Sequence, residues 1–188
     1  MSVPFPSLAV SSEDDGAPDA PLRGAVYGFL EDSDTLAVPS EDAVSRAERY
    51  LAPFSTDEQP LVFTKAAILG SVEGLDVVVV PTEDASRFCA AVMPGDRGDA
   101  SVSTLCTDAR NAVHGLSIVE HQIQPGGLDA PRTYVGIAPD GVASVRALGR
   151  SVPVAGNVFG FRVAPGGPLG EVVYVLDDGT SARVRVTG

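Results

Sequence analysis

Apolar and polar positions change period along this chain, and the change divides it into a short helical part and a long extended part. Val44, Ala47, Tyr50 and Leu51 recur at helical spacing. Ser40 stands at the N-cap position, Glu41 and Asp42 occupy the first turn, where the helix dipole favours acids, and Pro53 closes the segment. The apolar stripe is narrow, so this helix is expected to lie on a larger body. From residue 60 the pattern becomes extended. Residues 61–69 and 75–80 are apolar runs separated by 70–74, and residues 77–80 are consecutive valines that suit a strand buried on both faces. Further strand-like runs follow at 87–94, 100–106, 116–123, 133–137, 142–147, 151–154, 158–163, 171–177 and 180–187, punctuated by Gly and Pro. Residues 24–30 read as a short strand and 109–113 as a single helical turn. The predicted fold is mainly β (α+β): an antiparallel sandwich or barrel-like sheet with one short N-terminal helix packed outside.

Two hairpins can be given a register. A loop at Arg97-Gly98 sets Cys89 directly opposite Cys106, where Cα atoms on antiparallel strands lie about 4.5–5.5 Å apart, within reach of a disulfide. Asp178-Gly179 predicts a two-residue type I′ turn that sets Val173 opposite Val184 and Val175 opposite Ala182 on a core face. Tyr174 with Arg183 and Val172 with Arg185 then form the wet face. A tight turn is expected at 155–157, and Pro153 marks the preceding strand as a sheet edge or bulge.

Charge divides the chain in the same place as period does. The sequence holds 25 acids and 13 bases, for a net charge of -12, and residues 1–59 alone hold 12 acids against 3 bases. This balance repels phosphate backbones and excludes nucleic acid as a partner. The expected organisation is a disordered acidic tail or linker over 1–22, a helical segment over 23–59 packed on the body, and an antiparallel β domain over 60–188. Residues 3–10 are apolar enough to dock on a surface as an extended segment. No run of 18 apolar residues and no secretory leader is visible in the chain as numbered. A disulfide, however, implies an oxidising compartment. Either the cysteines are reduced in a cytoplasm, or a leader or anchor has been cut away; the second is the leading expectation, and it places the protein outside the cell or in its envelope.

Candidate chemistry is sparse. For Cys89 and Cys106 three readings stand: a structural disulfide, two buried thiols, or a metal or catalytic thiol. The spacing of the cysteines with His114 and His121 matches no common zinc arrangement, and the disulfide leads. His114 and His121 are the only side chains with ordinary titration near neutral pH, and hence the polar-site candidates, although no Gly-x-Ser-x-Gly elbow accompanies them. Asp32-Ser33-Asp34 and Asp177-Asp178-Gly179 contain pieces of a calcium loop without its full ligand set, so turn chemistry accounts for them. Gly126-Gly127 and Gly166-Gly167 join no strand to a helix and read as turns, not nucleotide loops. Arg97-Gly98-Asp99 spells an integrin-type tripeptide, for which glycine's use in a turn is sufficient explanation. No catalytic residue, metal set or cofactor is assigned.

The segments Val79-Val80-Pro81-Thr82, Phe88-Cys89-Ala90, Gly136-Ile137-Ala138-Pro139-Asp140-Gly141-Val142-Ala143-Ser144-Val145, Gly156-Asn157-Val158-Phe159 and Asp178-Gly179-Thr180, together with Cys106, resemble small secreted or membrane-anchored proteins of unknown function from high-GC Gram-positive bacteria. The resemblance implies an exported β module with a Cys pair and brings no activity with it. The expected function is a non-enzymatic secreted or envelope module that binds a protein partner through an edge strand, near 61–69 or 158–163, or serves a structural role. The alternatives are a small hydrolase or ligand-binding protein using His114 or His121 as a base, and a cytoplasmic adaptor with reduced thiols.

Overall fold

A computed structural model describes residues 30, 38–95, 102–108, 117–122, 131–164 and 169–185. The helix forms where its caps predict. Helix α1 (Glu41–Leu51) starts at Ser40, whose hydroxyl accepts the Ala43 N–H at 3.2 Å, and a 3-10 turn (Ala52–Phe54) follows it through Pro53. Its buried face is Arg46, Ala47 and Leu51, so an arginine takes a place expected for Val44 or Tyr50. The Arg46 guanidinium reaches the Pro94 carbonyl from both terminal nitrogens, at 3.3 and 3.2 Å, so the buried arginine has a backbone acceptor.

Eleven strands follow among the described residues. The first sheet holds β1 (Ala67–Val72), β2 (Leu75–Pro81), β3 (Arg87–Pro94) and β4 (Ser103–Asp108) as consecutive antiparallel neighbours. A second sheet is ordered β5 (Ser117–Gln122), β6 (Arg132–Ile137), β9 (Val158–Val163). The third is ordered β11 (Ser181–Arg185), β10 (Glu171–Leu176), β7 (Val142–Ala147), β8 (Arg150–Pro153). The three sheets stack as a sandwich and do not close into a barrel.

Burial explains the layering. One face of the three-stranded sheet places Val135, Ile137 and Val158 against Leu69, Val77, Val79, Phe88 and Ala90 of the first sheet. Its other face places Tyr134, Phe159 and Phe161 against Val145, Val172 and Tyr174 of the third. The far side of the first sheet receives α1, whose Ala47 and Leu51 cover Val78, Val80, Cys89, Ala91 and Met93. The valine run is therefore buried on both faces, as its composition predicts. Gly136 is where the central sheet needs a missing side chain: the Phe159 ring lies in the space a Cβ would fill.

Three local expectations are corrected. Strand β1 begins only at Ala67, after a 3-10 turn (Phe63–Lys65), and runs through Gly70 to a turn at Glu73-Gly74, both with positive φ. Gly70 therefore bends the strand at a register shift and does not end it. Leu30, the described part of the expected strand 24–30, is helical. The C-terminal hairpin is registered one residue away from expectation, pairing Val172 with Val184, Val173 with Arg183 and Tyr174 with Ala182. Its loop is three residues, 177–179, with Gly179 at φ +83, and the Asp178 carboxylate accepts the Thr180 N–H at 2.8 Å and its hydroxyl at 2.7 Å. The extra loop residue turns β10 over, so Val172 and Tyr174 face the core. Residues 3–10 and 109–113 lie outside the described residues.

Candidate functional site

A stack of open sheets presents strand edges, and every edge must be accounted for because its unpaired N–H and C=O groups are a template for another chain. Strands β1 and β9 lie close together across two layers. A Cβ on Gly70 would come within 3.3 Å of the Ala155 carbonyl and of Val158, and one on Gly160 within 2.7 Å of Val72. These contacts lie along the Cβ direction, normal to the sheets, and bring the two layers together. The segments nominated from sequence, near 61–69 and 158–163, thus include two edge strands, β1 and β9, that lie close together. Strands β4 and β5 are likewise neighbours. Strands β8 and β11 are the two edges of the third sheet, at its opposite ends.

These two edges differ in what they offer. The β7–β8 hairpin turns through Leu148 and Gly149, both with positive φ, so Ala147 and Arg150 form its closing hydrogen-bonded pair. Alternation along β8 then turns the backbones of Ser151 and Pro153 outward, consistent with the Val154 N–H donating inward to Ala143 at 3.0 Å. Pro153 has no N–H, so the outward row of β8 lacks a donor at that position. In the β10–β11 hairpin, the Leu176 N–H donates to Thr180 at 2.9 Å, which makes Ala182 and Val184 the ladder positions. The backbones of Ser181, Arg183 and Arg185 therefore face outward with donors and acceptors intact. Strand β11 pairs only with β10 among the described residues.

The solvent face beside this edge is ordered by the same register. Arg146, Val173 and Arg183 are in register across three adjacent strands, and Ser144, Val175 and Ser181 make the next row. Arg146 and Arg183 are exposed and Val173 is half-buried between them. Glu171 approaches Arg183 at 3.8 Å, but both side chains are open to water, where such a pair contributes little.

The cysteines form the expected cross-strand disulfide between β3 and β4, with Cα atoms 4.0 Å apart. Cys89 is fully buried under α1. Cys106 lines an open groove of about 430 Å³ with Gln59, Arg87, Thr107 and Asp108. Arg87 holds one wall by donating to the Phe54 carbonyl and to the Gln59 side chain, both at 3.4 Å. Before β3, Asp84 accepts the Ser86 N–H at 3.1 Å and the Thr82 and Ser86 hydroxyls at 2.8 Å. The Ser86 N–H above all, with those hydroxyls, holds its carboxyl below the usual carboxylate range.

The side chains of both candidate histidines lie outside the described residues. His114 lies outside the described residues. His121 is in β5, opposite Thr133 in register, and Thr133 is in turn opposite Arg162. The Thr133 hydroxyl is buried without a hydrogen-bond partner among the described residues, a feature with no sequence signal. Asp177-Asp178-Gly179 is a turn, as its chemistry predicts, while Arg97-Gly98-Asp99, Asp32-Ser33-Asp34 and Gly126-Gly127 lie outside the described residues. Among the described residues no group of three or more His, Cys, Asp or Glu could hold a metal ion, and no helix is long and apolar enough to cross a membrane. Comparison with family models, curated proteins and solved structures finds no match to this chain.

Proposed function

We propose that this chain is a non-enzymatic, disulfide-bonded β module of the cell exterior or envelope that binds a protein partner by strand addition at β11. The observation that supports the reading is the outward backbone row of Ser181, Arg183 and Arg185, on an edge that no described strand covers. Strands β1 with β9 and β4 with β5 lie close together in pairs, and Pro153 removes a donor from the outward row of β8. The exterior location draws on the Cys89–Cys106 bridge, which persists in oxidising compartments.

The test is selection of peptides from a random library displayed on phage, using the intact chain and an Arg183→Pro variant. Proline at this outward position removes an edge donor and leaves the β10 ladder bonds in place. The expected result is a set of extended peptides that bind the parent chain and not the variant. Peptides that bind both equally would overturn the reading, as would a selection that yields no binder.

A further inference from the structure

Resting on that reading of β11, we infer that the strand it accepts is an acidic segment of a different protein and not β11 of a second copy. Charge is distributed unevenly along the chain. Residues 131–188 hold six arginines and four acids, in a chain whose net charge is -12. Arg183 and Arg185 stand at alternate positions on the open edge, and exposed Arg146 continues the Arg183 row across the sheet. Arg146 has no ion-pair partner among the described residues.

Arginines on an edge strand have a simpler role, which is to keep edges from pairing with one another. Both roles follow from the same charges. Two β11 strands meeting about a two-fold axis would bring the arginines of one edge beside those of the other, and like charges on facing strands oppose pairing. A strand with Asp or Glu at alternate positions meets opposite charge along the same row, while its apolar positions face the inner side. Arg183 is available to it, because the Glu171 contact at 3.8 Å is exposed and weak. Glu171 itself opposes an acidic strand, so its removal is expected to strengthen binding.

Two ten-residue peptides test this against the full chain by fluorescence anisotropy and amide chemical-shift mapping. One alternates valine with aspartate and glutamate; the other replaces each acid with lysine. The expected result is at least tenfold tighter binding of the acidic peptide at low salt, a difference that narrows toward 1 M salt, with shifts centred on residues 181–185. Arg183→Glu should reverse the preference and Glu171→Gln should tighten the acidic peptide severalfold, while Arg183→Pro should abolish binding of both. Equal affinity for the two peptides, both lost in Arg183→Pro, would overturn the charge inference and leave strand addition standing. Binding that survives Arg183→Pro, or binding of neither peptide, would overturn both. Sedimentation showing a dimer of the parent chain that Arg183→Pro converts to monomer would assign the edge to a second copy and also overturn the inference.

Discussion

Reducing the disulfide is expected to cost this fold about 3 kcal/mol, and the structure says why the cost should appear as a change in global stability. The bridge joins residues 17 apart, and in the chain-entropy model a closed loop of that size restricts the unfolded ensemble by about 3 kcal/mol at 25 °C. Strand β3 is interior to its sheet, with β2 on one side and β4 on the other, and Cys89 is buried against α1. The bridge therefore ties the edge strand β4 to a largely buried interior strand of the sheet. For a domain of this size, a loss of that magnitude lowers the melting temperature by roughly 6–12 °C. The assay is urea unfolding of the intact chain with and without reductant, beside a Cys89→Ala/Cys106→Ala double variant, with thiols counted by alkylation in each state. Parent chain and reduced chain should differ by the stated amount, and the double variant should not respond to reductant. A difference below about 1 kcal/mol with both thiols shown to be alkylated would refute the loop-entropy reasoning.

Gly136→Ala places a Cβ in the Phe159 ring, and because Phe159 also packs edge-on to Phe161 with centroids 6.1 Å apart, the ring has little freedom to yield. The expected loss in urea unfolding is about 1–3 kcal/mol, the usual range for overpacking, and an unchanged midpoint would show that the ring moves freely. Arg46→Met keeps the apolar stem and removes both donors to the Pro94 carbonyl, which should cost about 1–3 kcal/mol and speed amide exchange in α1; unchanged stability would mean that water replaces the guanidinium. Asp84 has a folded pKa held below its ordinary value, so its contribution is fully present above the unfolded value and is lost as pH falls through the folded one. The stability difference between the parent chain and Asp84→Asn should be level near neutral pH and shrink below about pH 4, and growth of that difference on acidification would contradict the sign.

Much of the fold is legible in the sequence because local chemistry and global burial agree. The run 77–80 reads as doubly buried and is. Ser40 caps the helix, and Cys89 pairs with Cys106 in the register that the sequence pattern around them predicts. What escapes is decided by contacts between elements distant in the chain. Nothing near Arg46 announces that a carbonyl 48 residues away needs a donor. Gly70 and Gly160 read as breaks or weak strand residues, yet their missing side chains let the layers carrying β1 and β9 approach each other. Thr133 reads as an ordinary strand threonine, and only the layering shows its hydroxyl to be buried.

The C-terminal hairpin shows how an error of one residue can leave an edge unchanged and alter the surface beside it. A two-residue turn at Asp178-Gly179 and the observed three-residue loop both begin the ladder at Thr180, so in either register Ala182 and Val184 point their backbones inward and Ser181, Arg183 and Arg185 point theirs out. The open edge is thus a property of β11's own numbering from Thr180. Strand β10 does depend on the loop, because one added residue exchanges its faces. With the shorter loop Arg183 would lie opposite Tyr174, and a tyrosine would stand on the wet face. With the longer one, Tyr174 is buried with Val172, and Arg183 lies beside Val173 within reach of Glu171. Gly179 at φ +83 and the Asp178 side chain bonded to Thr180 select the longer loop. The turn therefore leaves the docking groups where they are and decides which residues flank them: a small apolar valine, a competing glutamate and a second arginine in line.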